Sequence, residues 1–77
     1  MYRDHDPELV EVTVDYLRRH GQAVLVKSAD DDEIWIPISQ IDAFESLNSD
    51  IQRGHIKRGD SIEIEIPEWL AKNEGLI

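Results

Sequence analysis

Four consecutive acids, Asp30-Asp31-Asp32-Glu33, form the densest set of potential ligand groups in the chain. Such oxygens suit a hard cation, but a calcium loop needs ligands at alternate positions, a glycine for the sharp turn and a distal glutamate. Neither that spacing nor the glycine is present, so the run reads as a solvated turn. His5, His20 and His55 are scattered, whereas zinc ligands come at short paired spacings, usually with cysteine, and the chain has no cysteine. No serine or threonine stands in a nucleophile-elbow context, and no glycine-rich run could cradle a phosphate. Size and missing motifs together predict a non-enzymatic protein with no catalytic residues, no metal and no cofactor.

Charge carries more information. Seventeen Asp and Glu against eight Lys and Arg leave a net charge of −9 on 77 residues. That field disfavours phosphate backbones and acidic membranes, because counterion-release binding needs clustered positive charge. It suits a basic partner, including a protein surface that normally holds nucleic acid, and it also serves solubility. The carboxylates expected on wet strand faces and in the 30–33 turn are the candidate partner-binding groups: Glu11, Asp15, Asp30, Asp31, Asp32, Glu63 and Glu65. Trp35 joins them as the best anchor, should it be exposed.

Two basic clusters stand against this acidity, Arg18-Arg19-His20 and Arg53-His55-Lys57-Arg58. Brought to one end of the fold beside Trp35 or Tyr16, they would offer a single-stranded nucleic acid a positive track with a stacking platform. Arg18, Arg19, Arg53, Lys57 and Arg58 are the residues of that second reading. The alternative is a set of charge-balanced turns, and Arg58-Gly59-Asp60 reads as a turn.

The elements that position these groups follow from periodicity. Residues 1–8 are polar and read as a flexible arm, leaving one small domain over 9–77. Val10, Val12, Val14 and Tyr16 alternate with Glu11, Thr13 and Asp15, the period of a strand with one wet face. A turn at 18–21 and an apolar run from Ala23 to Lys27 make residues 9–28 a β-hairpin. Glu33-Ile34-Trp35-Ile36 is a third strand, stopped by Pro37. Ser39 with Asp42 three residues on resembles a capping box, and Ile41, Phe44 and Leu47 predict a short helix over 40–47. Residues 52–56 read as a short, weak strand. Ser61-Ile62-Glu63-Ile64-Glu65-Ile66 alternates most cleanly, and Pro67 opens a closing helix over 67–75 with Gly75 as its C-cap.

The expected fold class is mainly β: a small, curled antiparallel sheet, an SH3-like or OB-like barrel closed by the short C-terminal helix. Closure would remove the exposed sheet edges. Trp35 points away from Ile34 and Ile36, and cover by the C-terminal helix, near Trp69 or Leu70, is the favoured arrangement because aromatic area is otherwise scarce. No run approaches the ~18 apolar residues of a membrane span, and no signal peptide is recognisable. A cytoplasmic location with no membrane association is therefore expected.

The segments Glu33-Ile34-Trp35-Ile36-Pro37-Ile38-Ser39-Gln40-Ile41 and Ile66-Pro67-Glu68-Trp69-Leu70-Ala71-Lys72-Asn73-Glu74-Gly75-Leu76 carry a resemblance. In them the chain resembles a group of small uncharacterised proteins of phages and bacteria. Gln22-Ala23-Val24-Leu25-Val26 fits the second strand of that group, whereas residues 42–58 depart from its pattern. The group supplies no agreed activity and no functional residues. It implies a phage or mobile-element context, in which small acidic proteins occupy host proteins and some anti-CRISPR proteins mimic the charge of DNA. The expected function is thus a non-enzymatic binding protein that occupies a basic, nucleic-acid-binding surface of a host protein such as a CRISPR effector, in the host cytoplasm. The alternatives are a barrel binding single-stranded nucleic acid, or a structural accessory subunit or homo-oligomer.

Overall fold

The structure is a computed structural model that describes residues 8–77. The arm expected over 1–8, with Tyr2 and His5, lies outside the described residues except for Glu8. Four strands, β1 (Leu9–His20), β2 (Ala23–Lys27), β3 (Glu33–Pro37) and β4 (Ser61–Pro67), form one antiparallel sheet in the order β3-β2-β1-β4. A 3-10 turn (Ile38–Gln40) and helix α1 (Phe44–Gln52) separate β3 from β4, and helix α2 (Glu68–Asn73) follows β4.

The mainly-β class and the 9–28 hairpin are as the sequence predicts. The barrel is not. β3 and β4 are the two outer strands and do not pair with each other, so the sheet stays open and keeps its edges. The central strand β1 is shared between two partners and is twelve residues long against five for β2. Its first half, Leu9 to Asp15, pairs with β4 from Pro67 back to Ser61. Its second half, Asp15 to His20, pairs with β2 from Lys27 back to Ala23. The two ladders are therefore staggered along β1 and meet at Asp15, which faces both Lys27 and Ser61. Tyr16 extends the junction: its N–H donates to the Asp60 carbonyl at 2.8 Å and its carbonyl accepts from the Gly59 N–H at 2.6 Å.

Immediately beyond the junction the register of β1 against β2 shifts between Tyr16 and Arg18, a β-bulge at Leu17. A bulge adds one residue to one strand and bends it. Before it, Val12, Val14 and Tyr16 face the core; after it, Arg19 pairs with core-facing Val24, while Arg18 pairs with Leu25 on the open face.

One sheet face holds the core. Val12, Val14, Tyr16, Val24, Val26, Ile34, Ile36, Ile62, Ile64 and Ile66 pack there with Ile41, Leu70 and Ala71. Phe44, Leu47, Ile51, Ile56 and Leu76 close it more loosely. Fully burying each large aliphatic side chain is worth ~1.5–3 kcal/mol, and strict alternation gives β4 three such residues on one face. Pro67 remains in the strand, opposite Leu9, and α2 begins at Glu68 rather than at 67.

The helical segments differ from expectation for local reasons. The turn after Pro37 is 3-10 and has no side-chain cap, so Ser39 and Asp42 form no capping box. Helix α1 runs over 44–52 rather than 40–47, because Ala43 just before it takes a left-handed conformation (φ 55°) that breaks the path from Ile41. It then ends in a Schellman motif: Gly54, at φ 77°, donates to the Ile51 carbonyl and His55 to that of Asp50. Residues 52–56 are spent on this helix end and form no strand. Helix α2 ends by the same device, with Gly75 donating to Lys72 and Leu76 to Ala71.

Alanine in the left-handed region is strained, and glycine is not. Ala43→Gly is expected to stabilise the protein by about 0.5–1 kcal/mol, read as a higher urea midpoint with an unchanged slope.

Candidate functional site

Alternation that sends isoleucine and valine inward must send the intervening residues outward. On the β1–β4 ladder these are Glu11, Thr13, Glu63 and Glu65, all exposed, with Asp15 half-buried at the junction. The register sets Glu11 directly opposite Glu65 and Thr13 opposite Glu63. Side chains two residues apart on a strand lie ~6.7 Å from each other, and directly opposed pairs about 5 Å. Three carboxylates thus share a small patch. Among the described residues no Lys or Arg side chain forms an ion pair with any of them.

The 30–33 acids join this end of the molecule. Because β2 ends opposite Asp15, the turn that follows it leaves the sheet on the side of β1's acidic first half. Ser28 organises that turn. Its buried hydroxyl accepts the Asp30 and Asp32 N–H groups, each at 3.2 Å, while its backbone pairs with Asp31 and Asp32. Asp30, Asp31, Asp32 and Glu33 are all exposed, and Lys27 reaches Asp31 only at 4.0 Å. Among the described residues no three His, Asp or Glu side chains are grouped to hold a metal ion.

Of the candidate basic residues, Arg18, Arg19 and Arg58 lie by the second half of β1, whereas Lys27 stands opposite Asp15. Arg58 donates to the Leu17 carbonyl at 3.5 Å, which places the 57–60 turn beside the second half of β1. Lys57 is held in that turn by its N–H bond to the Asp60 carboxylate. Arg18 and Arg19 are adjacent in sequence, yet the bulge directs them to opposite faces. Arg18 lies over the Trp35 ring at 5.5 Å, on the open face. Arg19 lies over Phe44 at 5.3 Å and bonds the Asn48 side chain at 2.8 Å, tying β1 to α1. Arg53 sits at the C-terminal end of α1 and is exposed.

Trp35 is not covered by the C-terminal helix. It is 42% exposed on the open face, while α2 buries Leu70 and Ala71 against the other face and leaves Trp69 52% exposed. Among the described residues, Arg18 lies above the Trp35 ring and the His20 ring stands edge-on to it at 6.4 Å. Across β2 from Trp35 lies Leu25, then Arg18. Leu25 and Leu17 are buried yet separate from the main core, a small apolar base on the open face. Tyr16 is buried at 7% and offers no ring for stacking. A shallow depression lined by Leu9, Ser39, Gln40, Ile41, Asp42, Ala43 and Pro67 holds none of the candidate residues.

The open face therefore runs from a carboxylate end to a basic, aromatic end, divided at the Asp15 row. Periodicity placed each acid on the correct face; the ends to which they segregate depend on the staggered ladders. No described helix is long and apolar enough to cross a membrane.

Like charges directly opposed across a ladder destabilise it by a few tenths of a kcal/mol up to about 1. Glu65→Thr is expected to raise stability by that amount at low salt, and the gain should shrink as salt screens the pair. Thermal melts at two ionic strengths give the comparison. No protein-family model, no curated protein and no solved structure matches the chain.

Proposed function

We propose that the chain is a non-enzymatic binding protein whose carboxylate end occupies a basic surface of another protein, one that ordinarily holds nucleic acid. The observation that carries this reading is the Glu11–Glu65 pair, flanked by Glu63 and Asp15 on an exposed sheet face. Its repulsion is unrelieved within the described residues. A cationic partner converts that internal cost into attraction, so the arrangement favours association. The strands fix the backbone spacing of these carboxylates, so binding costs chiefly the rotamer freedom of the side chains. Asp30, Asp31, Asp32 and Glu33 extend the same end.

In the phage or mobile-element setting that the sequence resemblance implies, the partner is a host nucleic-acid-binding protein, a CRISPR effector being one such target. Electrostatic complementarity of this kind speeds encounter and makes it salt-dependent. Binding at the carboxylate end and nucleic-acid binding to the same host surface would be mutually exclusive.

The test is affinity capture from nuclease-treated host lysate, read by mass spectrometry, with the native chain and a Glu11→Lys/Glu63→Lys/Glu65→Lys variant. The native chain should capture a basic protein that DNA displaces and that salt releases. The variant should lose it while keeping its far-UV spectrum. Unchanged, salt-insensitive capture by the variant would falsify the proposal.

The second reading, binding of single-stranded nucleic acid, is favoured by the proximity of Arg18, His20 and Trp35 on one face and of Arg58 to Leu17. Fluorescence anisotropy with a labelled single-stranded oligonucleotide at low salt separates the two. No binding at high micromolar protein is expected, and saturable binding lost in Arg18→Glu would transfer the function to the basic end.

A further inference from the structure

The outer edge of β3 carries an observation independent of the acidic end. Ile38 donates to the Gln22 carbonyl and Ser28 to that of Asp32, which fixes the hydrogen-bonding phase of the β2–β3 ladder. Ile34 and Ile36 direct their backbone groups toward β2, so Glu33, Trp35 and Pro37 direct theirs outward. Among the described residues no backbone group pairs with the outward groups of Glu33 and Trp35. The edge has no lysine and no bulge; Glu33 and Pro37 guard its two ends, and between them its side chain of largest apolar area, Trp35, is exposed. The β4 edge differs: the Asp42 N–H already donates to the Glu65 carbonyl, and Glu63 and Glu65 charge it.

We infer that the β3 edge pairs antiparallel with the β3 edge of a second copy of the chain, in a register centred on Trp35. In that register each Trp35 N–H donates to the Trp35 carbonyl of the other copy. Each Glu33 N–H donates to the second lone pair of the Pro37 carbonyl opposite, which as N-cap already accepts the first bond of the 3-10 turn. The missing N–H of Pro37 costs the bond that the Glu33 carbonyl would have accepted. Ile34 lies across from Ile36 in both directions, continuing the apolar face of one sheet into the other. The two Trp35 rings become a cross-strand aromatic pair beside Arg18 and His20.

Self-complementarity is the argument for a second copy as occupant. No charge meets its like, because Glu33 faces Pro37. Sliding one strand by two residues either sets the Glu33 carboxylate against the Trp35 ring or puts Pro37 opposite Trp35 and loses half of the hydrogen bonds. The interface is a single short strand pair, smaller than the ~1,000 Å² of stable complexes, so the association is weak and reversible. The Glu11–Glu65 patch, on β1 and β4, lies at the far side of each sheet and stays open, whereas Glu33 of the 30–33 run enters the seam.

Sedimentation from about 10 µM to about 1 mM spans the affinities such a contact can have. The native mass should rise with concentration from 8.9 kDa toward twice that value. In a Trp69→Phe background, Trp35 emission should shift to the blue over the same range. Trp35→Lys, and separately Glu33→Pro, which removes an outward N–H and the Glu33 carboxylate but no bond to β2, should hold the chain at monomer mass with unchanged far-UV spectra. A native chain that stays monomeric throughout overturns the inference. So does a dimer that survives both edge variants.

Discussion

The backbone of Asp15 and Tyr16 is the point on which the sheet depends. Asp15 is the one residue of β1 in register with both β2 and β4, and Tyr16 pairs with Val26 on one side and hydrogen-bonds the 59–60 backbone on the other. Remove this overlap and the protein is two separate ribbons, β1–β4 and the three-stranded β1–β2–β3 unit. The two-stranded β1–β4 ribbon alone would be marginal at best. The buried Tyr16 ring sits where both ladders press on the core, and the bulge at Leu17 bends the chain directly after it. An aromatic at the joint fills the space that a bending sheet opens.

The electrical character of the molecule descends from that joint. Alternation alone distributes acids evenly along wet strand faces. The stagger sorts them, because β4 accompanies only the first half of β1 and brings Glu63 and Glu65 beside Glu11. The 57–60 turn, by contrast, lies beside the second half, with Arg58 against Leu17. The bulge then separates Arg18 from Arg19, giving one to the open face and one to the helix packing. A single extra residue in β1 thus decides that the aromatic end carries Trp35, Arg18 and His20 while Arg19 serves the fold.

Much of this was legible in the residues. The alternations of 10–16 and 61–66 named the core face and the acidic face without ambiguity, since a one-residue slip would have buried glutamate. Pro37 marked its strand end, and Gly75 its helix end. What was not legible depended on contacts distant in sequence. Nothing in Leu17-Arg18-Arg19 announces a bulge, and nothing in Glu33–Pro37 says whether its edge meets β4. Scarcity of aromatics argues for a covered Trp35, but aliphatic packing suffices and α2 buries Leu70 and Ala71 on the other face. Helix α1 was displaced by Ala43, whose left-handed backbone no propensity would assign to alanine. Residues 52–56 looked extended because Gly54 and Ile56 belong to a helix-ending motif rather than to a helix.

The stagger also sets an order for folding. Tyr16 to Lys27 is a local hairpin and can close early, but β1's first half has only β4 for a partner, some fifty residues away in sequence. Contacts of that separation form late. Until they do, Val10, Val12 and Val14 make up a β-prone segment with both backbone edges free, the kind of segment that templates aggregation. Glu11 and Asp15 interrupt that run, and any second nascent copy would meet it charge against charge. The repulsion that strains the finished ladder is then also what guards its slowest strand while it waits.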